Sequence, residues 1–205
     1  MSDVGPALSD QELMRQAQAG DRSAFAEIVR RYQPAMLRVA KSRLGRGDWA
    51  EDAVQETLLA AYKWRGTYRE PGNFRTWLWT ILLNQCRRSW TGHVRRPRLW
   101  CFNDRPADEV EPAVYRASLD RGEAPPWERL IAQERADLLE SLLARLPSAQ
   151  ADALRLRFFA GLKFEEIAET VQCSLGTAKN RVKWGLMRLA EFVRQADSVT
   201  RSDGL

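Results

Sequence analysis

The chain has little of what metal centres and disulfide frameworks are built from. It carries one histidine and three cysteines among 205 residues, and no two cysteines form a CxxC pair. The spacing of Cys86, His93 and Cys101 matches no familiar zinc-binding motif, so the sequence predicts no metal site and no cofactor. An odd set of cysteines without a pairing motif is typical of reduced thiols in a cytosol.

Long apolar runs and catalytic clusters are missing as well. No stretch approaches the roughly 20 apolar residues needed to span a bilayer, and the first residues lack a basic segment followed by an apolar one. We therefore expect a cytoplasmic protein without membrane insertion. With one histidine and no cluster of carboxylates beside its basic segments, the chain also shows no catalytic constellation, which argues against an enzyme.

Basic charge is what the chain has in excess. Lysine and arginine number 32 against 27 aspartates and glutamates, for a net charge of +5. Such a balance favours a polyanionic partner without proving one. At 44% hydrophobic content the chain can bury one large core or two small ones.

A proline-rich middle favours two small cores. Five of the nine prolines lie in residues 97–126, where acidic residues outnumber basic ones and no long helix is expected. We interpret 97–126 as a mobile linker between an N-terminal domain of residues 9–96 and a C-terminal domain of residues 127–196. The acidity of the linker either keeps it soluble or lets it occupy a basic nucleic-acid path, and composition does not decide between the two.

The N-terminal domain is predicted to be helical throughout. Ser9 begins a capping-box pattern, and Asp21 is an N-cap candidate for the next helix. Apolar residues at helical spacing continue from there to about Tyr32, and a third helical segment runs from Met36 to Leu44.

The next predicted helix, from Asp48 to about Trp64, has two distinct faces. Its apolar spacing predicts a buried side made of Ala53, Val54, Thr57, Leu58 and Ala61. The opposite side is acidic and polar and consists of Glu51, Asp52, Gln55 and Glu56. Such a face is either solvated, with its acids stabilised near the helix N-terminus, or a docking surface for another protein.

A further helix is predicted to begin at Asn73, after a loop over residues 65–72. Its core face would consist of Phe74, Trp77, Leu78, Ile81 and Leu82. The rest of the helix, expected to be accessible, carries Thr76, Trp79, Thr80, Leu83, Asn84 and Arg87. Residues 85–98 hold five arginines and no acid. Rings beside guanidinium groups suit unpaired bases, because rings stack on bases while guanidinium groups hold phosphates.

Near the C-terminus, residues 164–171 and residues 175–184 each have the pattern of a short helix, with a tight turn at 172–174 between them. This arrangement predicts a helix-turn-helix. Ser174 is an N-cap candidate for the second helix. The apolar residues of that helix, expected to be buried, are Ala178, Val182, Leu186 and Leu189. The outward row would then be Thr177, Lys179, Asn180, Arg181 and Lys183, whose side chains can contact base edges and phosphates. Similar helix pairs also occur in domains that bind no DNA.

Four motifs, in order and spacing, resemble those of the extracytoplasmic-function (ECF) sigma factors, group 4 of the housekeeping-type bacterial sigma factor family. They are Asp52 to Leu58 (DAVQETL), Phe74 to Leu78 (FRTWL) with Asn84, Leu146-Pro147, and Glu166-Ile-Ala168 with Gly176-Thr177. The resemblance covers nearly the whole chain. It implies an all-α fold of two small helical domains joined by a flexible linker, the second a helix-turn-helix.

The resemblance also implies function and partners. It implies an alternative sigma factor that binds core RNA polymerase, directs promoter-specific transcription initiation and is held in check by an anti-sigma factor. The beta-prime coiled coil would be contacted by Asp52, Gln55 and Glu56, and the beta flap would be a second polymerase contact. A base flipped from the minus-ten non-template strand would be received by Asn73, Arg75, Asn84, Arg87 and Arg88. The outward row of the helix-turn-helix would read the minus-thirty-five element.

Three positions depart from the pattern of that family. Gln172 occupies a turn position where glycine or another residue that tolerates the left-handed region is common, which predicts either a strained turn or a turn of different geometry. Pro71-Gly72 and Trp184-Gly185 also differ, so the identity of the bases read is not carried over.

A conventional helix-turn-helix transcriptional regulator is the alternative, but the N-terminal half lacks the β-α alternation of a receiver domain.

Overall fold

The structure, a computed structural model, describes residues 8–69, 72–95 and 126–202, with side chains for 8–69, 72–90 and 134–195. Every regular element in these ranges is helical, as the sequence predicts. The helices are α1 Asp10–Gln18, α2 Arg22–Leu44, α3 Gly47–Lys63, a 3-10 turn Arg65–Thr67, α4 Phe74–Arg95, α5 Pro126–Ala144, α6 Ser148–Phe158, α7 Phe164–Thr170 and α8 Leu175–Ser202. Apart from Pro126, the linker predicted at 97–126 lies outside the described residues.

Two predicted caps begin the N-terminal helices. The Ser9 hydroxyl accepts a hydrogen bond from the Glu12 amide at 3.2 Å, and the Asp21 carboxylate accepts one from the Ser23 amide at 2.8 Å. Hydrogen bonds from Ser23 lower the pKa of Asp21, because they stabilise the charged carboxylate. The N-caps at Ser9 and Asp21 are confirmed, while the Glu12 side chain that a capping box would use accepts from Arg15 and Gln16 instead.

The two helical segments predicted between Asp21 and Leu44 are one helix, α2, which corrects the sequence interpretation. The helix continues through Pro34, although a proline inside a helix removes a backbone donor and costs about 3 kcal/mol. Tyr32 and Met36, on either side of Pro34, are both buried. We attribute the continuity to this burial, which offsets the lost hydrogen bond. The helix ends at Gly45, whose φ of 67° is left-handed.

Helix α4 is buried on more sides than its sequence period suggests. Trp79 is 1% exposed and Leu83 is 2% exposed, and Thr76 is also buried, so the expectation that they are accessible is wrong. The physical reason is that α4 packs against α2 and α3 on one side and against α7 of the C-terminal domain on another. Trp77, placed in the core by its spacing, is only half-buried.

The C-terminal helices α5 to α8 pack around buried apolar side chains that are continuous with the core of the N-terminal helices. Among these side chains are Leu154, Leu156, Leu162, Ile167, Ala178 and Val182. A Cβ on Gly185 would lie 2.8 Å from Leu154 Cδ1, so glycine there allows α8 to approach α6 closely. Leu186, which the sequence placed in this core, is 44% exposed, and this expectation is wrong. The buried stripe of α8 instead passes through Gly185, because that is where α6 and α8 meet.

The turn between α7 and α8 is a Schellman motif that places Gln172 in the left-handed region. The Cys173 amide donates to the Ala168 carbonyl at 2.8 Å, and the Gln172 amide donates to the Glu169 carbonyl at 3.2 Å. Gln172 has a φ of 51° and is the one non-glycine residue with positive φ in the described part of the chain. The strain expected at Gln172 from the sequence is therefore present, at about 1 to 2 kcal/mol for a residue with a Cβ.

The two groups of helices pack against each other. Helix α4 contacts α7, and helix α2 contacts α5 and α6. Among the described residues, no helix combines the length and apolar character that a membrane span requires.

Replacing Gln172 by glycine should stabilise the C-terminal domain. Gln172→Gly removes the steric cost of a Cβ at positive φ, and the exposed glutamine side chain contributes little packing. After the entropy that glycine loses on folding, we expect a gain of roughly 1 kcal/mol in the free energy of unfolding. Chemical denaturation followed by circular dichroism measures it. Gln195→Gly, at an exposed position late in α8, should be destabilising instead, and a loss of stability in both variants would contradict the assignment of strain to Gln172.

Candidate nucleic-acid and protein interfaces

The outer face of α3 is exposed and acidic. Asp52, Gln55 and Glu56 are all exposed, while Ala53, Val54, Thr57 and Ala61 on the opposite side are buried. The buried Thr57 hydroxyl donates to the Ala53 carbonyl at 2.6 Å, so it needs no partner outside its own helix. The helix therefore presents its carboxylates and amide to solvent, as its period predicts.

Leu59 extends this face and was missed by the sequence reasoning. It lies seven residues after Asp52 and three after Glu56, which places it on the same side of the helix. Leu59 is 64% exposed, more than any other large apolar side chain in the described part of the chain. An apolar side chain beside carboxylates is the mixture found at protein–protein contacts. The sequence could have indicated this exposure. Successive residues of a helix point about 100° apart, so Leu59 cannot share the buried side of the helix on which Leu58 was placed.

The loop before α4 is braced from two sides. The Arg65 guanidinium donates to the carbonyls of Ala17 and Tyr62 at 3.1 and 2.7 Å and lies 4.2 Å from the centre of the Tyr62 ring. The Gln18 amide donates to the carbonyls of Arg65 and Tyr68 at 2.7 and 3.1 Å. These bonds hold the loop to α1 and α3, so the chain enters α4 in a defined position.

Asn73 and Arg75 begin α4, and the C-terminal domain contacts both. Asn73 Oδ1 accepts a hydrogen bond from the Arg75 amide at 3.0 Å, while its Nδ2 donates to Glu166 Oε1 at 3.1 Å. The Arg75 guanidinium donates to the Ala160 and Gly161 carbonyls at 2.9 and 3.0 Å. Both side chains are half-buried. No local sequence pattern indicated that these two residues would face the C-terminal domain.

Asn84, Arg87 and Arg88 form a separate exposed group further along α4. They are spaced three and four residues apart and therefore share one helix face, where Arg87 Nη1 donates to Asn84 Oδ1 at 3.1 Å. The helix rise places Arg87 about 18 Å along the axis from Arg75. The structure thus divides the predicted minus-ten group into two parts. Trp90, 52% exposed, supplies the accessible ring that Trp79 does not.

The recognition helix α8 begins at a well-formed cap. Ser174 Oγ accepts from the Thr177 amide at 3.1 Å and lies 2.8 Å from the Thr177 hydroxyl. The Ser174 cap prediction is confirmed. Lys179, Asn180 and Lys183 follow on the exposed surface of the helix.

The other members of the outward row differ in their surroundings. Thr177 is exposed, but its hydroxyl is engaged with Ser174, and Arg181 is half-buried. Trp184 is 52% exposed and carries the Lys183 ammonium 5.9 Å from its ring centre. The structure therefore brings lysine, amide and hydroxyl donors together with one exposed ring on the first turns of α8. This set can donate hydrogen bonds to base edges and phosphates.

The cysteine and histidine positions do not form a ligand cluster in the described residues. Cys86 is fully buried, and desolvation raises the pKa of its thiol to about 11, so it is a poor metal ligand. The side chains of His93 and Cys101 lie outside the described residues. Within the described ranges, no group of three potential metal ligands is found.

Two family models match the chain in order. Residues 28–96 match Sigma-70 region 2, and residues 136–189 match Sigma-70 region 4. The first range contains α3, α4 and most of α2, and the second contains α6, α7 and the first half of α8.

Curated relatives align over most of the chain. It is 31% identical over 174 residues to the RNA polymerase sigma-H factor of Pseudomonas aeruginosa, covering 84% of this chain and 88% of the relative. It is 29% identical over 175 residues to the ECF RNA polymerase sigma-E factor of Haemophilus influenzae, covering 85% and 90%.

Solved structures show the same fold. CnrH in complex with the cytosolic domain of CnrY matches with a TM-score of 0.68 and 21% identity, over 91% of this chain and 97% of that one. The sigma factor RpoE in complex with the anti-sigma factor NepR from Bartonella quintana matches with a TM-score of 0.59 and 24% identity, over 83% and 96%.

Proposed function

The chain belongs to the ECF sigma factors, and from this premise we propose how its surfaces divide the work of transcription initiation. An alternative sigma factor binds core RNA polymerase and directs it to particular promoters. We assign residues 9–96 to polymerase docking and the minus-ten element, 97–126 to a linker, and 127–196 to the minus-thirty-five element. The protein would act by binding rather than by catalysis, in the cytoplasm where its polymerase works.

The exposed row on α8 is the observation that carries this assignment. Lys179, Asn180 and Lys183 are exposed on a helix whose N-terminus is fixed by Ser174 and whose opposite side is buried through Ala178 and Val182. A helix held in this way can enter a major groove with its first turns against the base edges. The half-buried Arg181, with Thr177 at the cap, would contact phosphates and set the register.

Polymerase docking is assigned to the acidic face of α3. Asp52, Gln55 and Glu56 would contact the beta-prime coiled coil, and Leu59 would be buried at the centre of that contact. An apolar side chain adds to the binding energy when a partner removes it from water, and the surrounding charges supply orientation and association rate. The C-terminal domain would meet the beta flap.

Capture of the minus-ten strand is assigned to α4 and to the residues at its start. Asn84, Arg87 and Arg88 form an exposed donor group, with Trp90 as an accessible ring for stacking. Asn73 and Arg75 would hold the flipped base beside the braced loop. Unstacking that base costs a few kcal/mol of free energy, which the contacts with the protein must offset.

The similar structure of RpoE from Bartonella quintana is a complex with the anti-sigma factor NepR. We propose that this chain also has an anti-sigma factor.

A conventional helix-turn-helix regulator would bind DNA without core polymerase. Runoff transcription with purified core enzyme on genomic fragments distinguishes such a regulator from a sigma factor. Promoter-specific transcripts support the sigma factor, whereas DNA binding without any transcript supports the alternative.

Charge reversal on α3 should weaken polymerase binding. Asp52→Lys with Gln55→Ala removes a carboxylate and an amide from the docking face, and we expect the affinity for core polymerase to fall at least tenfold with the helical content unchanged. Co-purification and fluorescence anisotropy with labelled protein measure it. Glu165→Lys is the matched control, since it reverses the charge of an exposed acid on α7, away from the docking face of α3. Equal losses in the variant and the control would show that only net charge matters.

Substitutions on α8 should separate base reading from phosphate binding. Asn180→Ala should cost about 1 to 3 kcal/mol at one promoter position and relax the preference there, because a specific pairing is lost. Arg181→Ala should weaken all sites alike and reduce the salt dependence of binding. Selection from a promoter library with each holoenzyme measures both effects. Position preferences left intact by Asn180→Ala would refute the assignment of Asn180 to base reading.

Substitutions on the exposed group of α4 should act after duplex binding. Asn84→Ala with Arg87→Ala should reduce open-complex formation on a duplex promoter but spare initial binding through α8, since strand capture needs unpaired bases. A template mismatched across the minus-ten element should restore activity only partly. Permanganate reactivity of unpaired thymines and abortive transcript yield report the two steps. The control is Arg38→Ala, which removes an exposed arginine of α2. If the double variant opens the promoter as well as wild type does, Asn84 and Arg87 are solvated surface residues without a role in strand capture.

A further inference from the structure

Trp184 is the largest exposed apolar side chain among the C-terminal helices whose side chains the structure describes, and the proposed function leaves it without a role. It is 52% exposed and follows directly after the outward row of α8. Thr177, Asn180 and Trp184 are spaced three and four residues apart, so they form one stripe along the helix. Lys179 and Lys183 lie about 100° to one side of that stripe. The exposed surface of α8 therefore separates its ammonium groups from a hydroxyl, an amide and a ring.

The backbone that carries Trp184 is fixed against the rest of the domain. The next residue, Gly185, lies so close to α6 that a Cβ there would be 2.8 Å from Leu154 Cδ1 and 3.6 Å from Gln150 Cβ. Val182, two residues before Trp184, is buried at 5% exposure. Since successive residues of a helix point about 100° apart, the contact of Gly185 with α6 turns Trp184 outward. A rigid helix thus positions the ring, as specific recognition requires.

The chemistry of an indole limits what Trp184 can recognise in a DNA duplex. Its one polar group, Nε1–H, only donates, and the rest of the ring is apolar. Paired bases are covered by their stacked neighbours, so the ring cannot stack on them unless they are extruded. In the major groove, the methyl group of thymine is the apolar group that distinguishes one base from the others. An exposed ring on a recognition helix therefore favours thymine over the other three bases.

The spacing between Asn180 and Trp184 determines where that thymine lies. The two residues are four positions apart, so Trp184 lies about 6 Å further along the helix axis. Successive nucleotides of one DNA strand are about 3.4 Å apart along the duplex axis. The base pair that the ring contacts is therefore within about two steps of the pair that Asn180 contacts. The Lys183 ammonium lies 5.9 Å from the ring centre, which places a positive charge beside an apolar group that must approach a polyanion.

We propose that Trp184 is a specificity-determining residue of α8, which reads one thymine of the promoter through apolar contact with the methyl group of that base. This role rests on the proposed function, which places α8 in the major groove of the minus-thirty-five element. It adds to that function the type of base that is read and the group on the base that is recognised. Asn180 and Trp184 then read neighbouring parts of one element by different means, hydrogen bonding and apolar contact.

The test replaces thymine by deoxyuridine, which removes the methyl group and leaves the pairing edge of the base unchanged. Each thymine on either strand of the minus-thirty-five element is replaced in turn, in a promoter that the factor transcribes in vitro. Fluorescence anisotropy measures the affinity of holoenzyme for each labelled duplex.

Four forms of the full chain are compared in this assay. They are wild type, Trp184→Ala, Trp184→Phe, which keeps an apolar ring, and the matched control Leu186→Ala. Leu186 is a suitable control because it is 44% exposed on the same helix but points about 160° away from Trp184. Circular dichroism and the affinity for core polymerase are measured for each form, so that a loss of folding or of polymerase binding is recognised.

We expect one deoxyuridine replacement to weaken binding by wild type about fourfold, which is the effect of removing roughly one buried CH₂ group. The same replacement should still weaken binding by Trp184→Phe and should have no effect on Trp184→Ala. Leu186→Ala should match wild type throughout. The sensitive thymine should lie within about two base pairs of the position whose preference Asn180→Ala relaxes.

Three results would overturn the role of Trp184. They are a wild type for which no thymine is sensitive to loss of its methyl group, a sensitivity that persists in Trp184→Ala, and a loss in Trp184→Ala that is confined to the affinity for core polymerase. The last result would make the ring a protein contact.

Asn180→Ala in the same assay tests the proposed function separately. If Asn180→Ala and Trp184→Ala both bind every duplex as wild type does, α8 does not read the promoter and its assignment to the minus-thirty-five element is wrong. If Asn180→Ala relaxes a base preference while the methyl effect is the same with and without Trp184, only the role of Trp184 is wrong.

Discussion

The burial of α4 on two opposite sides is the constraint on which the rest of the structure depends. One side completes the N-terminal core with α2 and α3, and the other receives α7 from the C-terminal domain. Trp79 and Leu83, which a one-sided helix would expose, are buried as a result. The proposed strand-binding residues lie on α4 or, in the case of Asn73, directly before it. The packing of other helices on α4 therefore determines which of these residues are available to DNA.

Buried polar groups give the contact between the domains its specificity. Ser42, Asp152 and Arg155 are buried, and their side chains satisfy one another or a backbone carbonyl. Ionic groups of this kind add little net stability, since the cost of removing them from water is close to what their pairing returns. Their effect is geometric, because an apolar interface could slide whereas this one has one arrangement that pairs every charge. An interface of this type is separable once a partner offers the same groups an alternative.

The surfaces assigned to polymerase and to DNA differ in how much tertiary structure they require. The acidic face of α3 and the first turns of α8 are each built on one helix, so their exposure follows from helical period. The minus-ten group is different, since Arg75 lies about 18 Å from Arg87 along α4, and both Asn73 and Arg75 face another domain. Helical period gives no information about contacts between residues that are far apart in the sequence, such as Asn73 and Glu166, which are 93 positions apart.

Local chemistry in the sequence determined the helices, their caps at Ser9, Asp21 and Ser174, the acidic face of α3 and the left-handed turn at Gln172. Each of these depends on residues within a few positions of one another, where propensity and hydrogen bonding are decisive. Tertiary structure alone decided that α2 continues through Pro34, that Trp79 is buried and Leu186 exposed, and that Glu166 contacts Arg75. Those outcomes depend on which helix packs opposite each side chain, and no local pattern carries that information because the partners are distant in the sequence.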